Sequence, residues 1–163
     1  MRRILLILIL ALMLVPSTLL ADDRVLFLNA FGETATAYLN DSMLLLGTTA
    51  DGFVADIISK EQALEIATNV QRRVRVIRGK LKAVGAARIS AVDKKLIELL
   101  DSSYGCMDHQ AWALSQYLED KSPDAARRFE AQRSDCLESL KKVADFYSTL
   151  PPSPEVPEPL STR

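Results

Sequence analysis

From Phe27 onward the apolar positions recur at steps of mostly three and four: Phe27, Phe31, Ala35, Tyr38, Leu45, Leu46, Thr49, Phe53 and Ile57. That spacing predicts one face of a first helix, carried through Gly47 and Gly52, which fall off the face. Ser59 with Gln62 three residues on has the form of a capping box and predicts the start of a second helix. Its stripe is Ala63, Ile66, Val70, Val74, Ile77, Leu81 and Val84, ending near Gly85, which can take a left-handed cap conformation. Ser90 with Asp93 opens a third helix that points Val92, Leu96, Leu99, Leu100, Met107, Leu114, Tyr117 and Leu118 inward. Ser122-Pro123-Asp124 combines a hydroxyl cap, a proline where no amide partner is needed and an anion at the positive end of the dipole. The fourth helix starts there, buries Phe129, Cys136, Leu140, Val143 and Tyr147, and stops before Pro151.

Four amphipathic helices joined by very short turns must lie antiparallel, because a short link leaves no room for a crossover. The expected fold is all-α, an up-down-up-down antiparallel four-helix bundle over residues 22–150, roughly 40 to 50 Å long. Proline usage marks its limits. Of the seven prolines only Pro123 falls within 22–150, and residues 151–163, PPSPEVPEPLSTR, read as an extended Pro-rich disordered tail.

The other end of the chain reads as an export signal. Arg2 and Arg3 precede an apolar run from Ile4 to Val15, Pro16 breaks it, and Ala21 offers a cleavage point before Asp22-Asp23. Residues 1–21 are therefore expected to be a signal peptide, with an uncleaved N-terminal anchor as the other reading. The protein is expected to be periplasmic or secreted. Removing the signal moves the formal charge from −1 to −3. A chain of that charge is a poor partner for nucleic acid.

Export changes the meaning of the two cysteines. Cys106 lies 16 residues before Ser122 and Cys136 lies 14 after it, which brings them to nearly the same height on antiparallel helices. Facing helices can place such Cα atoms within disulfide range, and an oxidising compartment favours the bond. Closing a loop of about 30 residues should stabilise by roughly 3 to 4 kcal/mol. Cys106 and His109 also have metal-ligand spacing, but one His and a Cys committed elsewhere leave a zinc site short of its four ligands. No haem motif, nucleophile elbow or phosphate loop occurs, so neither a cofactor nor a catalytic set is expected.

Two surface features remain. Helical geometry turns His109 and Trp112 away from the Leu96, Met107 and Leu114 stripe, so Gly105, His109, Trp112 and Gln116 form a possible contact surface for a protein partner or a second copy. The second helix carries Arg72, Arg73, Arg75, Arg78, Lys80, Lys82 and Arg88 with no acid from Gln71 to Arg88. These cations could meet an anionic membrane surface, but they spread around every side except the core, and pairing with Glu33, Asp41 and Asp56 of the first helix is the favoured expectation. The leading functional reading is an exported, non-enzymatic bundle acting through its surface in a binding, adaptor or envelope-associated role. The alternative is a small-molecule or metal-binding bundle with its site between helices.

Overall fold

The computed structural model describes the backbone of residues 18–87 and 89–150 and the side chains of those from Phe31 onward. The apolar run of the expected signal, the Phe27 side chain, Arg88 and the Pro-rich tail lie outside the described residues. Among the described residues four helices form: α1 Thr18–Val54, α2 Lys60–Gly85, α3 Ala91–Asp120 and α4 Pro123–Ser148. Among the described residues there is no strand. The expected cleavage point between Ala21 and Asp22 falls in the first turns of α1. Residues Gly32–Leu150 form a compact unit of their own.

The helix starts follow the local chemistry. Ser59 accepts from Gln62 N while the Gln62 side chain accepts from Ser59 N, a complete capping box, and Ser90 with Asp93 repeats it. Ser122 accepts from Ala125 N at 3.1 Å ahead of Pro123. The helix ends use residues other than the expected glycine. Gly85 stays helical and the chain leaves α2 through Ala86 in right-handed backbone. Positive φ occurs instead at Asp56 (54°) and Lys121 (49°). Both are polar turn residues whose helix has just ended, and each reverses the chain in a few residues. Gly85 has a packing reason to be small: a Cβ there would stand 3.3 Å from Ile97 Cγ2 of α3.

Helix α3 lies at the centre of the packing, with ten buried residues. Its Leu96, Leu100, Met107, Leu114 and Leu118 are buried, as are Leu39, Leu46 and Phe53 of α1, Val70, Val74 and Leu81 of α2, and Phe129, Leu140 and Val143 of α4. Passing along α2 from Gln71 to Arg78 to Gly85 leads down α3 from Asp108 to Asp101 to Ile97. Between α3 and α4, Ser103 meets Ser139 and Cys106 meets Cys136. Tyr38 and Phe53 of α1 lie against Tyr104 and Tyr117 of α3, and the Tyr104 hydroxyl donates to Ala35 O at 3.3 Å. At the Phe53 end, Lys121 Nζ sits 4.4 Å from the Phe53 ring centre, a cation–π contact that ties the α3–α4 turn to α1.

The stripes need four corrections at their edges. Periodicity directs Leu45, Ile57, Val84 and Val92 inward, and the structure exposes all of them. Ile57 lies beyond the end of α1, so helical periodicity no longer directs it. Val84 and Val92 occupy the last and first turns flanking the α2–α3 link, where the neighbouring helix gives little cover. On α1 the buried side chains are Ala35, Leu39, Ser42, Leu46, Thr49, Ala50 and Phe53, and Leu45 lies beside that line. Gly47 is also corrected: it is buried, with the Arg133 guanidinium of α4 3.6 Å from where its Cβ would be.

Candidate functional site

The disulfide anchors the candidate site. Cys106 and Cys136 are bonded, with their Cα atoms 5.4 Å apart, and among the described residues no free cysteine remains. The bond fixes the height at which α3 and α4 face each other, and toward the α3–α4 link from it His109, Trp112 and Ala113 share a cleft with Arg128, Ala131 and Gln132.

That cleft has a volume of about 470 Å³ and lies where α2, α3 and α4 meet. Helix α2 supplies Gln71 and Arg75, α3 supplies Asp108, His109, Trp112 and Ala113, and α4 supplies Arg128, Ala131 and Gln132. Trp112 is 52% exposed, so its indole is presented to solvent rather than packed in the core. Its helix neighbours Ala111, Ala113 and Leu114 are buried, which shows how sharply the α3 surface divides at this point.

The cleft's polar wall is set by ion pairs between α2 and α3. Arg75 Nε donates to Asp108 at 2.9 Å and 3.2 Å. Arg78 Nε donates to Asp101 at 3.1 Å, and its Nη1 lies 3.8 Å from Asp108. Gln71 Nε2 reaches the Asp108 carbonyl at 3.4 Å. These pairs correct the expectation that the α2 cations pair with Glu33, Asp41 and Asp56: for Arg75 and Arg78 the partners are on α3. The short link after Gly85 folds α3 back along α2, and that brings the Arg75 and Arg78 flank against Asp101 and Asp108. Arg72 instead turns to Asn69 within its own helix.

Of the four residues expected to form a contact surface, His109 and Trp112 line the cleft. Gly105 does not. It is half-buried beneath Arg78, whose Cζ would be 3.2 Å from a Cβ at that position. Gln116 is half-buried one turn beyond Trp112 and is also not a lining residue. Of Arg72, Arg73, Arg75, Arg78, Lys80 and Lys82, Arg75 alone lines it, while Arg72, Arg73, Lys80 and Lys82 are exposed elsewhere on α2. Sequence reasoning misses Gln71, Asp108, Ala113, Arg128, Ala131 and Gln132. The signal for Ala131 and Gln132 is present, because pairing Cys106 with Cys136 on opposed helices already places His109–Ala113 opposite residues 129–133.

A second polar feature lies inside the bundle. Gln110 is fully buried, and neither its Oε1 nor its Nε2 has a hydrogen-bond partner among the described residues. Ser103, two turns earlier on α3, is better satisfied, meeting Leu99 O at 3.0 Å and the Ser139 hydroxyl at 2.8 Å. Among the described residues no group of three or more His, Cys, Asp or Glu side chains assembles that could hold a metal ion, and no helix is long and apolar enough to cross a membrane. No protein-family model matches the chain, and no curated protein or solved structure matches it either.

Proposed function

We propose that the protein is an exported, non-enzymatic, up-down-up-down four-helix bundle that acts by presenting the Trp112 cleft to a protein partner. The opposed order of contacts along α2–α3 and α3–α4 supports the topology, and the Cys106–Cys136 bond supports an oxidising compartment reached through the N-terminal signal. Cleavage after Ala21 would leave α1 to begin one turn later than Thr18. The observation that carries the reading is Trp112 itself: a large aromatic side chain, half exposed, lining a cleft with an arginine from each of two other helices. Trp and Arg are the residues that most often dominate binding at protein surfaces. A photo-cross-linking side chain placed at position 112 in the protein's own host should give one discrete adduct with a partner polypeptide. The same side chain at exposed Val76 should give none. Matching adduct patterns at the two positions would refute the reading.

The buried Gln110 favours a second reading, a small-molecule site between helices. Two unpartnered amide atoms in an apolar core are what a polar ligand would satisfy. Native mass spectrometry of host-purified protein that shows a retained small molecule, lost in Gln110→Met, would move the assignment to that site.

A further inference from the structure

We infer that the Trp112 cleft takes an acidic segment of a partner polypeptide, its carboxylate held by Arg75 and Arg128 and an adjoining apolar side chain laid on Trp112. The inference rests on the cleft being a partner-binding surface and adds the chemistry of what it binds.

The charge accounting points to an anion. Asp108 is the cleft's own carboxylate, but its side chain is only 13% exposed and is engaged by both Arg75 and Arg78. Arg75 makes its bonds to Asp108 through Nε, and its side chain is 61% exposed, which leaves its two Nη amino groups for another acceptor. From the other side Arg128 is exposed on α4. Asp120 is held below the usual carboxylate range first by the Ser122 amide and also by the Arg128 charge; its oxygen is committed to Ser122 N at 2.8 Å. The accessible charge in the cleft is therefore cationic, carried by two forked donors from separate helices. A carboxylate suits such donors, because guanidinium N–H groups pair with its two oxygens.

The shape favours a polypeptide segment over a free small molecule. Small-ligand pockets bury most of the ligand's surface. Here Trp112 stays half exposed on a surface shared by three helices. A segment crossing that surface can place one carboxylate between the arginines and an apolar neighbour on the indole, where an aromatic anchor contributes most.

Trp112 is the sole tryptophan of the chain, so its fluorescence reports on this cleft alone. The probes are two acetylated, amidated peptides, PELEP and PQLQP, with acetate as the free anion. PELEP should shift the Trp112 emission saturably, PQLQP should bind about tenfold more weakly, and Arg128→Gln should bring PELEP down to the PQLQP level. Acetate should leave the emission unchanged. Equal binding of the two peptides, no response to PELEP, or an equal response to acetate would overturn the inference. If a partner still cross-links at position 112 in any of those cases, the acidic chemistry fails and the surface reading stands; if the cross-link is also absent, both fail.

Discussion

The Tyr147 ring of α4 lies in the space that a side chain on Gly32 of α1 would need: a Cβ built on Gly32 would overlap the phenol. Gly32 is buried there, so the absence of a side chain is what lets the ring seat. Gly32→Ala should destabilise the protein by about 1 to 3 kcal/mol through overpacking. In a Tyr147→Ala background the same substitution should cost much less. Urea unfolding of the four proteins measures this coupling, and additive effects would contradict the packing described.

The Cys106–Cys136 bond crosses the α3–α4 interface beside the cleft. Native protein should show no reactive thiol before reduction. Cys136→Ser should lower stability by roughly 2 to 5 kcal/mol. Two thiols titrated in the unreduced protein would contradict the bond.

Much of this is legible in the sequence, and the parts that are not share a cause. Ser59, Ser90, Ser122 and Pro123 announce helix starts through their own chemistry, and the structure places α2, α3 and α4 where those residues imply. Cys106 and Cys136 can be paired because equal distance from one turn fixes height on two opposed helices. The α1 stripe is harder to read because two of its buried positions are the polar Ser42 and Thr49; Thr49 donates to Leu45 O at 2.6 Å, which satisfies its hydroxyl without an interhelical partner. The cleft is half visible. An outward Trp112 follows from periodicity on one helix, but its α2 and α4 neighbours depend on how three helices are set against each other, which no single stripe encodes.

Burial pushes the Tyr104 hydroxyl up to about 12, with Tyr38 adding to it. Burial likewise raises Tyr147 to about 12, with Glu33 contributing. The folded protein therefore keeps these protons after the unfolded chain has lost them near the ordinary phenol value of 10.0. Stability should be level below about pH 10 and fall as pH rises toward about 12. Denaturant unfolding across that window should show a shallower fall in Tyr104→Phe. An unchanged slope in the variant would remove Tyr104 as a cause.

Gln110 leaves two buried polar atoms without partners among the described residues. Replacing it with a side chain of similar volume and no such atoms relieves their desolvation. Gln110→Met should raise the unfolding free energy by about 1 to 2 kcal/mol, measured by urea unfolding of purified protein. A loss of similar size would mean that the amide has a partner in solution.

If Trp112 serves binding rather than folding, its removal should leave the bundle nearly as stable as before. Trp112→Ala should change the unfolding free energy by less than about 1 kcal/mol, whereas Leu114→Ala, two residues away and fully buried, should cost about 2 to 5 kcal/mol through the cavity it leaves. With the fold intact in the Trp112 variant, the decisive experiment is native mass spectrometry of wild-type and Trp112→Ala protein purified side by side from the native host. A polypeptide partner should be retained by the wild type and lost from the variant. Retention of the same partner by both would show that Trp112 does not hold it.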